Sequence, residues 1–105
     1  MEPTLTRRFR IYVGYTDEQL ANDPFMPTRA AQTLLNIAGI DNFTQYKEKG
    51  YWNRISETAI IFEIISNDRT MPMRIHNAAS MLKRMPGGKQ EAVLVTTDLI
   101  ESYII

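Results

Sequence analysis

The chain has 105 residues, 44% of them hydrophobic and 23% charged, which suits one packed domain and excludes wholesale disorder. Lys plus Arg and Asp plus Glu both number 12, and a net charge of zero argues against nucleic acid as the main partner. With no cysteine, disulfides, thiol catalysis and thiolate metal sites are excluded.

The N-terminus, MEPTLTRRFR, is polar and lacks the apolar core of a signal peptide, although Arg7, Arg8 and Arg10 form a local basic patch. No apolar run is long enough to span a bilayer. The expectation is a soluble, cytoplasmic, single-domain chain over residues 1–105. Its small size and exposed strand edges give it reason to oligomerise.

Residues 8–15, RFRIYVGY, read as the first strand: Phe9, Ile11 and Val13 alternate with Arg8, Arg10 and Tyr12. Thr16 with Gln19 three positions on fits a capping box, so TDEQL opens a short helical turn. NDPFMP is a loop. Residues 27–38 read as a helix, with Pro27 in the first turn, Ala31, Leu34, Leu35 and Ala38 at helical spacing, and Gly39 as the stop. Residues 42–49 read as a strand and Gly50 as a hairpin turn. Residues 57–65, ETAIIFEII, are β-branched enough for a strand buried on both faces.

Residues 71–85 read as the second main helix, capped by Thr70, with Met71, Ile75, Ala78, Ala79, Leu82 and Met85 on one stripe. Pro86-Gly87-Gly88 stops it. Residues 90–97, QEAVLVTT, read as a fourth strand, and DLIESYII as a short fifth strand or a tail that pairs with another subunit. The order β-α-β-β-α-β predicts an α+β, ferredoxin-like sandwich, with two helices on one face of an antiparallel sheet.

His76 is the only histidine and sits one step from the core-facing Ile75; without a neighbouring Asp or Ser motif it builds no triad. One His and no Cys make a zinc site improbable, and no metal is expected. Gly87-Gly88-Lys89 is the nearest thing to an anion-binding loop, and a helix stop explains it as well. Glu57 stands where the chain enters the Ile/Phe run. It is either a solvated strand-end residue or the charged lining of a partly dry pocket.

Two resemblances bear on that choice. IYVGYT at 11–16 looks like the first ribonucleoprotein motif of an RNA-recognition domain, and KGY at 49–51 like the start of the second. The sequence then departs: Trp52-Asn53-Arg54 follows KGY, where that family has a small residue and then an aromatic, and the strand ETAIIFEI carries one aromatic, Phe62. The second resemblance runs over most of the chain. GYW at 50–52, Glu57 entering a strand, IHNAASML at 75–82 and QEAVLV at 90–95 resemble, in order and spacing, the phage-encoded S-adenosylmethionine lyases. These were long described as S-adenosylmethionine hydrolases. The spacing from Tyr46 to Glu57 fits the tyrosine and glutamate that family places in its active site.

That resemblance implies a trimer with a fold like the PII signalling proteins and substrate held between subunits. It implies cleavage of S-adenosylmethionine to 5′-methylthioadenosine and homoserine lactone, with no metal and no cofactor beyond the substrate itself. The setting it implies is the cytoplasm of a phage-infected bacterium, where loss of the methyl donor starves methylation-dependent restriction. Glu57 and Tyr46 are then the expected catalytic pair. Tyr15 and Thr16 are expected to contact the ligand through backbone groups, Trp52 to form a wall, and Gln90 to face the cleft. The chain lacks the long C-terminal extension of some members. Two other readings stay open: a PII-like sensor that binds an adenine ligand without catalysis, and an RNA-binding module. No nucleic acid or membrane partner is expected under the first reading.

Overall fold

The computed structural model describes residues 2–85, 90 and 92–105, and nothing is stated of the Trp52 side chain. The described residues form four strands and three helices in the order β1 (Thr4–Tyr15), α1 (Asp17–Asn22), α2 (Met26–Asn36), β2 (Thr44–Trp52), β3 (Ile55–Ser66), α3 (Met71–Lys83) and β4 (Leu94–Ser102). The strands form one sheet in the order β2-β3-β1-β4, and every neighbouring pair is antiparallel. This is the expected α+β ferredoxin-like architecture.

Alternation along the two central strands decides which side the helices cover. Phe9, Ile11, Val13 and Tyr15 of β1 and Ile60, Phe62 and Ile64 of β3 are buried in one core with Ala30 and Leu34 of α2 and Ile75, Ala78 and Leu82 of α3. Both long helices therefore pack on the same face. Phe43 closes one end of this core, edge-on to Phe62 with ring centroids 5.5 Å apart. The α3 stripe lies as its spacing predicts. The α2 stripe is rotated: Met26, Ala30, Thr33 and Leu34 face inward, while Leu35 is exposed.

Local chemistry fixes the helix starts. At α1 the capping box is complete: the Gln19 backbone N–H donates to Thr16 Oγ1 (3.1 Å), and the Thr16 N–H donates to Gln19 Oε1 (2.9 Å). At α3 Thr70 occupies the N-cap position as expected, but without a side-chain cap. Asp68 Oδ1 accepts from both the Thr70 N–H and hydroxyl at 2.8 Å. Those bonds hold the Asp68 carboxyl below its usual pKa.

Several boundaries differ from expectation; β1, for one, begins at Thr4 rather than at residue 8. The β2–β3 hairpin turns at Asn53-Arg54, both at positive φ (50° and 69°), rather than at Gly50, which stays in the ladder opposite Glu57. Two consecutive left-handed residues are the two-residue hairpin geometry that matches strand twist. KGY consequently lies in a strand, not in the turn. Finally, β4 begins at Leu94 rather than residue 90 and runs through Ser102, so 90–97 and DLIESYII are not separate strands. The expected Pro86-Gly87-Gly88 stop and the Gly87-Gly88-Lys89 loop lie outside the described residues.

Candidate functional site

The face of the sheet opposite the helices is where the unusual side chains gather. Register places Tyr46, Ile61, Tyr12 and Leu94 in one row across β2, β3, β1 and β4. No helix among the described residues covers this row, yet Ile61 is only 4% exposed and lies outside the main core cluster. The two partly buried tyrosines flanking it in the ladder account for that shelter.

On one side of the row the face is charged and balanced. Arg10 Nε donates to Glu63 Oε1 at 2.9 Å, and Arg8 Nε donates to Asp98 Oδ1 at 3.0 Å. The hydrogen bond to Glu63 raises the Arg10 pKa, with a smaller contribution from the nearby phenols of Tyr46 and Tyr12. The bond from Arg8 holds the Asp98 carboxyl below its usual range.

On the other side the face is acidic and thinly furnished. Gly14 and Ala59 are paired, as are Gly50 and Glu57. The Glu57 carboxylate lies directly over the Gly14 backbone: a Cβ at residue 14 would stand 2.2 Å from Glu57 Oε1 and 2.6 Å from Cδ. Glycine is therefore required at 14 for this carboxylate position, by space rather than by backbone angle. Glu57 is half-buried, and its carboxylate makes no hydrogen bond or ion pair with a described residue. Glu48, opposite Ala59, adds a second carboxylate to the same end of the face, and it is exposed.

Each expected site residue now has a position. Glu57 and Tyr46 share the uncovered face but do not touch. Four residues of strand separate Ile61, Tyr46's partner, from Glu57, a distance of about 13 Å. Tyr15 points the other way, 1% exposed in the core, where burial pushes its hydroxyl pKa up to about 12. Its backbone is in the ladder opposite Thr58. The Thr16 N–H and carbonyl are both used by the capping of α1. Backbone contacts from this pair to a ligand would compete with the fold. Trp52 ends β2 opposite Ile55. Gln90 precedes β4, and its backbone N–H donates to the Lys83 carbonyl at the end of α3, 3.0 Å away.

Tyr12 and Gly14 were not foreseen as site residues. The period-two alternation of RFRIYVGY carries the signal, because a core face of Phe9, Ile11, Val13 and Tyr15 turns Arg10, Tyr12 and Gly14 to the opposite side.

Two described cavities lie elsewhere. A groove of about 380 Å³ runs between α3 and β4, floored by Phe9, Ile75 and Val95 with His76, Ser80 and Lys83 along it. Another, of about 230 Å³, is bounded by Arg7, Asn67, Asp68, Arg69 and Pro72. Neither is lined by Glu57 or Tyr46. Among the described residues no group of three or more His, Asp or Glu is placed to hold a metal ion. Among the same residues no helix is long and apolar enough to cross a membrane.

No protein-family model matches the chain, and no curated protein sequence matches it. Among solved structures it is similar to a de novo designed protein, Foldit4, at 14% identity and a TM-score of 0.45, over 90% of this chain and 94% of that one. That likeness carries no functional argument.

Proposed function

We propose that the protein is an S-adenosylmethionine lyase whose substrate lies on the uncovered sheet face, between Glu57 and the Tyr46–Tyr12 row. The observation that carries this reading is the Glu57 carboxylate, unpaired and seated over Gly14 on a face with an aromatic centre. The order and spacing of Tyr46, GYW, Glu57, IHNAASML and QEAVLV add the family resemblance.

The chemistry needs few protein groups. The substrate carboxylate attacks its own Cγ, the Cγ–S bond breaks with its electron pair going to sulfur, and homoserine lactone and neutral methylthioadenosine separate. No proton moves in that step, so no general base is required. Opposite charges cancel on the way to the transition state, so removal of water favours reaction. Folding the amino-acid chain with its carboxylate behind Cγ supplies further acceleration, about 7–11 kcal/mol in favourable intramolecular cases.

Glu57 anchors the substrate by a charge-assisted hydrogen bond to its ammonium or ribose hydroxyls. Tyr46 presents a ring to the sulfonium. The end of the face that carries Glu57 and Glu48 suits a cationic ligand and repels phosphates. This favours the lyase over the RNA reading, as does the lack of an aromatic on the uncovered face of β3. That face carries Glu57, Ala59, Ile61 and Glu63.

One subunit leaves the face open. A neighbouring subunit, in a homotrimer under this reading, closes the site and excludes water. Purified protein incubated with S-adenosylmethionine should release methylthioadenosine and homoserine lactone above the spontaneous background. Homoserine as the first product would mean hydrolysis instead. Binding of adenine nucleotides with no turnover would mean a sensor. Glu57→Gln should reduce turnover by about one to two orders of magnitude with the assembly intact, since a hydrogen bond to a charged group contributes about 1.5–3 kcal/mol.

A further inference from the structure

β4 is a regular nine-residue strand in which no residue is buried. Leu94 is 60% exposed, Val95 39% and Leu99 63%, and Ile100 is half-buried. It hydrogen-bonds to β1 on one side and is the last strand of the sheet on the other. The opposite edge, β2, is protected: Lys47, Glu48 and Lys49 are exposed along it. β4 has no lysine, arginine or proline, and its apolar residues emerge on both faces.

We infer that the β4 edge pairs with β4 of a second copy of the chain, antiparallel about a twofold axis at Thr97, to form a continuous eight-stranded sheet. Self-complementarity selects this register. With Thr97 opposite itself, Leu94 meets Ile100 of the partner on the uncovered face, and Val95 meets Leu99 of the partner on the helix-side face. Thr96 then faces Asp98 of the partner, and its hydroxyl donates to that carboxylate.

Charge agrees with this choice. Asp98 is already neutralised by Arg8 of its own chain and stands opposite a hydroxyl. Moving the axis by one residue to Asp98 would oppose two carboxylates and place Val95 against Glu101 and Leu94 against Ser102. Moving it to Thr96 would set Leu94 against Asp98. Of these three axes, counting residues within β4, the one at Thr97 matches apolar with apolar on both faces.

The contact is small. Nine strand residues per copy fall short of the roughly 20–30 a side of a standard interface, so association belongs in the micromolar range. The pairing doubles whatever assembly forms through other surfaces, so the expected number of chains is even. It does not depend on the lyase reading.

The test measures mass by light scattering and sedimentation from about 10 μM to several hundred μM, the range set by a contact of this size. Thr97 is exposed, and substitutions there spare the core. Thr97→Lys and Thr97→Glu should each weaken association at least tenfold, because each opposes its own charge across the axis. An equimolar mixture of the two should restore it as a heterodimer. The chain has no cysteine, so Thr97→Cys should form an intermolecular disulfide on mild oxidation, whereas Lys49→Cys on the β2 edge should not. A wild-type mass that stays monomeric or trimeric across the range overturns the inference, as does failure of the Lys and Glu variants to rescue each other.

Discussion

Substitution of Gly14 by alanine separates what the fold needs from what the proposed site needs. The added methyl would stand 2.2 Å from Glu57 Oε1, 2.6 Å from Cδ and 2.9 Å from Oε2. All three atoms are the far end of one flexible side chain. The conflict at these nearest contacts is relieved by rotating Glu57 outward into solvent. Restricting its rotamers costs about 0.5–1.5 kcal/mol. Against this, alanine lowers the entropy of the unfolded chain, which stabilises by about 0.4–1 kcal/mol. The net change in stability is therefore within about 1 kcal/mol of zero.

The effect on turnover is different in kind. Under the lyase proposal Glu57 would lose its position over residue 14, and Gly14→Ala should approach Glu57→Gln in methylthioadenosine production. Urea unfolding and a product assay on the same preparations decide the matter. The double variant Gly14→Ala, Glu57→Ala closes a cycle: once the carboxylate is gone, the methyl at 14 should cost nothing further in stability or turnover. A stability loss above about 2 kcal/mol for Gly14→Ala would refute the argument, because some other group would then have to occupy the space above residue 14. So would full activity of Gly14→Ala in a protein where Glu57→Gln is inactive.

The remaining predictions concern the scaffold. Arg54 holds φ at 69° as the second residue of the hairpin turn, so Arg54→Gly should stabilise by about 0.5–1 kcal/mol in chemical denaturation. Leu34 is fully buried between α2 and the sheet, and Leu34→Ala should cost about 2–5 kcal/mol and lower the thermal midpoint accordingly. Tyr15 predicts an alkaline limb of stability. Its hydroxyl ionises near pH 10 unfolded but at about 12 folded, so its contribution is complete below pH 10 and is lost as pH rises toward 12. Tyr15→Phe should flatten that stretch of the stability–pH curve. Asp98 predicts the acid counterpart: its folded pKa is lowered by Arg8, so its contribution is present above the ordinary carboxylate range and lost as pH falls through the folded value. Asp98→Asn should remove that part of the acid dependence.

The fold was legible because each of its elements is declared locally. Phe9, Ile11 and Val13 alternate, Ile75, Ala78 and Leu82 repeat at helical spacing, and Thr16 with Gln19 makes a cap that forms as written. Errors arose where a local signal had a rival. Gly50 is a better turn former than Arg54, yet the turn falls at Asn53-Arg54, because pairing Thr44 through Trp52 with β3 keeps Tyr46 and Ile61 opposite each other. Leu35 suits a core as well as Ala30 does, and only the tilt of α2 against α3 and the sheet decides between them. Residues 92–95 have the strand propensity, but β4 is placed by its partner. Because β1 extends from Tyr15 back to Thr4, it offers ladder positions as far as Ser102, well beyond the apolar run.

The candidate site could be read one residue at a time and not as an arrangement. Glu57 was identifiable as a carboxylate at the mouth of an apolar strand, and Tyr46 by its spacing. The same alternation that buries Val13 should have sent Tyr15 inward and Tyr12 outward; reading Tyr15 as a strand-end residue hid this. Gly14 looks like a strand terminator in sequence. Its role depends on β3 lying beside β1 in a register that lays a side chain from one strand across the backbone of the other. No periodicity within either segment contains that information. It comes into being when the strands pair, and for that reason the empty space at residue 14 is a sharper test of the site than any of the side chains around it.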